Sequence, residues 1–149
     1  MARRVRRVVS RLVDVVHEGQ VTYGARVSGP RSVAGILRPL IGDRAQETLV
    51  CLLLDGRHRL FGLAEVSVGT LTSSVVHPRE VFGPALRLGA AAVVVAHAHP
   101  SGDPEPSAED LAVTRRLIDC GRLLGVPLLD HLVLGGDEFV SLRERIAFG

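Results

Sequence analysis

Lysine is missing from this chain: all 18 basic residues are arginine. That absence reflects a GC-rich genome more than a function. Tryptophan is missing too, and aromatic residues make up only 3% of the sequence, so a core has to be assembled from Val, Leu, Ile and Ala. With 46% apolar residues over 149 positions, the chain has enough for one domain of ordinary size. Cysteine is scarce. Cys51 and Cys120 lie far apart in apolar surroundings and form neither a disulfide framework nor a Cys-x-x-Cys metal clip. They read as buried free thiols in a reducing cytosol. No apolar run reaches the length of a membrane span, and Asp14, His17 and Glu18 interrupt the basic N-terminus too early for a signal peptide. The expectation is a soluble, cytoplasmic protein with no membrane partner. A net charge of +2 is too small to mark a nucleic-acid binder by itself.

Two regions are expected, an N-terminal arm over residues 1–19 and a folded domain over 20–149. Residues 3 to 17 read as an amphipathic helix, because Val5, Val8, Val9, Leu12, Val13 and Val16 follow helical spacing. Arg3, Arg4, Arg6, Arg7 and Arg11 take the remaining positions. One reading is a surface helix with solvated arginines; the other is a basic arm for DNA, RNA or an acidic partner. Beyond the arm, Ser32 to Leu40 reads as a short helix. Thr48 to Leu54 and Leu60 to Val68 read as a hairpin around the Asp55-Gly56 turn. A Ser/Thr-rich connector, Gly69 to His77, precedes a helix from Pro78 to about Leu88, with Val81, Phe82, Ala85 and Leu88 on its apolar face.

Ala91 to His97 lacks alternation, which fits a central strand buried on both faces. A helix from Ser107 to about Leu124 is ended by Gly125. Strands at Leu128 to Leu134 and Phe139 to Ser141 follow, then a last helical turn at Arg143 to Ile146. The pattern is that of a single α/β domain with a mixed sheet flanked by helices.

The chemistry concentrates between His97 and Asp110. His97 and His99 are two apart on a strand, so both imidazoles leave one face while Ala98 leaves the other. Such a pair suits zinc, which takes nitrogen ligands at about 2.0–2.1 Å. A Pro-stiffened loop, Pro100 to Pro106, is long enough to bring Asp110 back as a third ligand. Plainer readings stand beside this one. Ser107 and Asp110 fit a helix cap close to a capping box, and either histidine alone is an ordinary strand-end residue.

The joint pattern resembles a known family. His-x-His, seven residues, Ser, two residues, Asp is the metal-binding signature of the JAMM (MPN+, JAB-domain) zinc metalloproteases, and His97, His99, Ser107 and Asp110 match it position for position. The run Ala96-His-Ala-His-Pro-Ser-Gly-Asp-Pro-Glu-Pro-Ser107 resembles the bacterial RadC family within that superfamily. So do Gly69-Thr-Leu-Thr-Ser-Ser-Val-Val-His-Pro-Arg-Glu80, Leu129-Asp-His-Leu-Val-Leu-Gly135 and Val140-Ser-Leu-Arg-Glu144. The likeness covers roughly residues 20 to 149. It implies a JAB/MPN fold of cytidine-deaminase-like architecture and one zinc per chain, held by His97, His99 and Asp110. It also implies an upstream glutamate as general base, for which Glu47 matches and Glu80 and Glu65 compete, with Ser107 stabilising an oxyanion. RadC proteins usually carry Asn between the histidines, where this chain has Ala98. Longer ones carry an N-terminal helix-hairpin-helix region associated with DNA binding, whereas only some 20 residues precede the core here.

Three activities follow as expectations. The first is a zinc metallopeptidase or isopeptidase acting on a peptide or isopeptide. The second is a metal-dependent nuclease, since the RadC name is tied to DNA repair and the arm is basic. The third is a non-enzymatic DNA- or protein-binding module with structural zinc, against which the retention of Glu47 and Ser107 argues. A cytidine deaminase site is disfavoured, because its Pro-Cys-x-x-Cys ligand pair is absent. His17 and His58 read as surface residues; His77 and His131 are either structural or partners of the site. On the DNA-binding reading of the arm, deleting residues 1–17 lowers both affinity for duplex DNA and its dependence on salt. An unchanged salt slope in a filter-binding titration leaves the arm as a surface helix.

Overall fold

The computed structural model describes residues 24–41, 47–68 and 76–149. The arm over residues 1–19 and most of the connector after Val68 lie outside the described residues. The element order is α1 (Pro30–Ile41), β1 (Thr48–Leu54), β2 (Leu60–Val68), α2 (Pro78–Arg87), β3 (Ala92–Ala98), α3 (Ala108–Leu124), β4 (Leu128–Gly135) and β5 (Glu138–Ser141). The five strands form one sheet in the order β2-β1-β3-β4-β5. β3 pairs antiparallel with β1 and parallel with β4, and antiparallel hairpins close both edges. The mixed α/β sheet expected from the sequence is therefore the observed one.

Period-two side-chain placement sorts each central strand onto two faces. Leu49, Cys51, Leu53, Val93 and Val95 pack with Phe82 and Ala85 of α2 and with Val113 and Leu117 of α3. Val50, Leu52, Leu54, Val94, Ala96 and Ala98 pack with Val33, Leu37 and Ile41 of α1. Both β1 and β3 are buried along their whole length, which is why neither alternates in sequence. Gly121 lets α3 lie close, since a Cβ there would stand 2.6 Å from the Val126 carbonyl oxygen.

The differences from the expected elements are local. α1 starts at Pro30, two residues before the expected Ser32, because proline suits the first helical position. Ser32 Oγ then accepts from the Ser28 and Gly29 N–H groups at 3.1 and 3.3 Å. β3 runs one residue later than expected. The last helical turn is a 3₁₀ turn at Leu142–Glu144, closed by the Arg145 N–H on the Leu142 carbonyl. Cys51 is buried, and burial pushes its thiol up to about 12, but Cys120 is only half-buried; both are free. Among the described residues no helix is long and apolar enough to cross a membrane.

Asp130 ties the C-terminal elements to β4. It accepts from the His131 N–H at 2.7 Å, the Ser141 hydroxyl at 2.6 Å and the Arg143 N–H at 3.1 Å. Burial raises its proton affinity, and the bonds from Ser141, Arg143 and His131 offset only part of that. A carboxyl whose folded pKa is raised contributes stability that is complete below its unfolded pKa and is lost as pH rises through the folded one. Asp130→Asn keeps an oxygen for the backbone donors and turns an amide N–H toward Ser141. Urea unfolding of this variant is expected to show a flatter pH dependence between the carboxylate range and neutrality, with a loss at pH 7 within about 1 kcal/mol. Asp130→Ala strands three donors and is expected to cost about 2–4 kcal/mol.

Candidate metal centre

The site forms where β3 ends against the first turn of α3. His97 is fully buried on the α2/α3 face of β3. His99 follows the strand, and its N–H still bonds the Leu134 carbonyl of β4 at 2.8 Å, so its ring leaves the sheet on the same side. The two Nε2 atoms are 3.0 Å apart. Ala98 packs on the opposite face against the α1 core, as the two-residue spacing requires.

The loop after His99 turns back at once. The Gly102 N–H bonds the His99 carbonyl at 3.0 Å, and Gly102 adopts a left-handed φ of 84°. The Asp103 carbonyl then comes within 2.8 Å of His99 Nδ1. A carbonyl only accepts, so His99 carries its proton on Nδ1 and leaves Nε2 bare in the neutral ring. This loop is pressed onto the end of β4. A Cβ on Gly135 would stand 2.5 Å from the Pro104 nitrogen and 2.6 Å from the Asp103 carbonyl carbon.

Helix α3 supplies the carboxylate. Ser107 is its N-cap: Ser107 Oγ accepts from the Asp110 N–H at 3.1 Å, and Asp110 Oδ2 accepts from the Ser107 N–H at 2.7 Å. The capping box suggested by the sequence is therefore present. The same carboxylate reaches the histidines, with Oδ1 3.1 Å from His97 Nε2 and Oδ2 3.2 Å from His99 Nε2. Burial pushes the Asp110 carboxyl up, but His97 and the two bonding groups of Ser107 outweigh it and hold the carboxyl well below the usual carboxylate range. Capping and site-facing roles thus coexist in Asp110.

Glu47 arrives from the other side. β1 pairs with β3 through Leu49 and His97, and two further steps along this antiparallel register set Glu47 opposite His99. Its Oε1 lies 3.4 Å from His99 Nε2. Glu47, His97 and His99 each present a donor atom within 4.8 Å of the others, and Asp110 stands closer still to both rings. The competing carboxylates are elsewhere: Glu80 sits in the first turn of α2, 3.5 Å from Arg79, and Glu65 is exposed on β2.

Of the remaining histidines, His58 is exposed and His77 caps α2, its Nδ1 accepting from the Arg79 N–H at 3.2 Å. His131 instead lies directly behind the site, with Nε2 2.8 Å from His97 Nδ1 and Nδ1 2.6 Å from the Thr114 hydroxyl. Burial, then the nearby His97, lowers its proton affinity well below the ordinary histidine value. Thr114 and the Asp103 carbonyl gave no sign of themselves in the sequence, and Gly135 stood there only as the end of a family-like run.

Residues 27–147 match the family model described as a RadC-like JAB domain. The chain belongs to this family. Among curated proteins it is similar to a UPF0758 protein of Moorella thermoacetica, 47% identical over 119 residues, covering 80% of this chain and 52% of the relative. A UPF0758 protein of Syntrophotalea carbinolica is 46% identical over 122 residues, with 82% and 54% covered. One from Bacillus cereus strain Q1 is 49% identical over 100 residues, with 67% and 44% covered. The chain spans about half the length of the curated relatives it matches.

In this RadC-like JAB domain the position of His99 depends on how closely the loop approaches β4. Gly135→Ala has no room against loop backbone and is expected to push the Asp103 carbonyl off the His99 ring. Thermal and urea unfolding should show a loss of about 1–3 kcal/mol, and the His99 ring resonances should broaden by NMR. A variant as stable as the parent, with an unchanged His99, would show that the loop yields freely.

Proposed function

We propose that this chain is a zinc-dependent hydrolase of the JAMM type, a metallopeptidase or isopeptidase, with one zinc per chain held by His97, His99 and Asp110. The observation that supports it most is chemical. The His99 Nε2 lone pair and both oxygens of an ionised Asp110 converge with His97 Nε2 at separations of 3.0 to 3.2 Å. Electron-rich atoms packed this closely repel one another unless a cation or proton lies among them. Tetrahedral zinc with bonds of about 2.0–2.1 Å separates its ligands by about 3.3 Å, so the donor set suits that ion in kind and in spacing. Asp110 fits the third ligand better than Glu47, because its two oxygens lie 3.1 and 3.2 Å from His97 Nε2 and His99 Nε2, whereas Glu47 Oε1 stands 3.4 Å from His99 Nε2.

Zinc bound there supplies the Lewis acidity that brings the pKa of water down toward about 7. The protein does the rest. Glu47, half-buried at the rim, accepts the proton of the attacking water and returns it to the leaving amine. Ser107 uses an oxygen lone pair to cap α3, which leaves its hydroxyl proton to donate to the substrate carbonyl oxygen as charge builds there. Burial of His97 and Asp110 keeps bulk water away from the inner side of the cluster.

Purified protein is expected to carry about one zinc by atomic absorption, and His97→Ala or Asp110→Ala to lose it. Glu47→Gln should retain the metal and lose about 10²–10⁴-fold in turnover. Wild type and Glu47→Gln are to be compared on peptides, isopeptides, single-stranded DNA and duplex DNA. Glu47-dependent cleavage of peptide or isopeptide supports the proposal. Cleavage of DNA alone replaces it with a nuclease, and turnover on none of the four replaces it with a binding module.

A further inference from the structure

Behind His97 runs a buried row of polar groups whose direction decides which nitrogen of that ring is bare. The Asp110 carbonyl, the Thr114 hydroxyl, the His131 ring and the His97 ring follow one another at 2.6, 2.6 and 2.8 Å. Thr114, His131 and His97 are each 0% exposed, so these links have to be satisfied within the protein. A carbonyl oxygen only accepts, so the Thr114 hydroxyl donates to Asp110. A hydroxyl has a single proton, so toward His131 Thr114 accepts, and the His131 proton sits on Nδ1. In the neutral ring His131 Nε2 is then an acceptor, and His97 donates to it from Nδ1. What is left on His97 is the Nε2 lone pair, aimed at His99 and Asp110.

We propose that Thr114 and His131 are positioning residues for His97: the relay that starts at the Asp110 carbonyl holds the His97 imidazole in its Nδ1–H tautomer and presents Nε2 as a ligand atom. The significance of that lone pair rests on the metal-centre reading above, whereas the tautomer follows from the hydrogen bonds alone. Without the Thr114 hydroxyl nothing orients the row. His131 is then free to carry its proton on Nε2 and donate to His97 Nδ1, which moves the His97 proton onto Nε2, where a ligand is needed. The relay also folds back on itself, since Asp110 terminates it through its carbonyl and meets the far side of the same His97 ring through its carboxylate.

Long-range ¹H–¹⁵N NMR of the metal-free wild type reads both tautomers, and His97 and His131 are each expected as Nδ1–H. By chelator competition, Thr114→Val should bind zinc about 10–100-fold more weakly, and Thr114→Ser, which restores the hydroxyl, should return most of that affinity. A role confined to packing would lower the melting temperature and leave zinc affinity in place. The proposal is overturned by a wild-type His97 protonated on Nε2, or by a folded Thr114→Val with undiminished zinc affinity. Should Thr114→Val not fold, the wild-type tautomer decides by itself. Nδ1–H rings in a wild type that takes up no zinc would uphold the relay and remove the metal-centre reading instead.

Discussion

Everything at the site depends on the pairing of β3 with two neighbours of opposite sense. Its antiparallel register with β1 sets Glu47 across from His99. Its parallel pairing with β4 brings His131 beside the strand on the His97 side, and the crossover between β3 and β4 is the loop and helix that carry Ser107 and Asp110. A one-residue slip in either ladder would turn the histidines to the α1 face. The apolar residues on both sides of β3 resist such a slip, because each face has its own core to fill.

Around that frame the electrostatics follow one logic: donors are spent on the outside of the cluster and acceptors are left on the inside. His99 gives its proton to the Asp103 carbonyl. Asp110 accepts from the Ser107 N–H on the outer side and turns its carboxylate oxygens toward both rings. Asp130, on the other side of β4, shows the contrast. It too is buried and bonded by three donors, yet with no such cluster its proton affinity goes up rather than down.

How much of this could be read from the sequence depended on whether the signal was local. The uninterrupted apolar runs of β1 and β3 announced strands buried on both faces, and Ser107 and Gly125 marked the two ends of α3. The His-x-His spacing was enough to put two rings on one face. Glu47 was reached only through family resemblance, since strand register is set by how two separate runs dock. The roles of Thr114 and Gly135 were illegible for a different reason. A threonine inside a helix and a glycine before a turn have ordinary explanations, and their roles here are defined by atoms of other elements, one of them a backbone carbonyl. Pro30, by contrast, carries a local signal for a helix start, since its fixed φ suits the first helical position.

The separation of Glu47 from the rest in sequence has a consequence for how the protein comes into being. The groups that face one another from His97 to Asp110 belong to a single short window, closed by a proline-stiffened loop, and need little chain to be ordered before they meet. Glu47 joins them only when β1 has docked on β3, a contact across about fifty residues that carries a larger ordering cost. On the proposed chemistry, a chain in which β1 has not docked lacks its base. If that chemistry holds, reactivity would wait on the docking of β1 against β3.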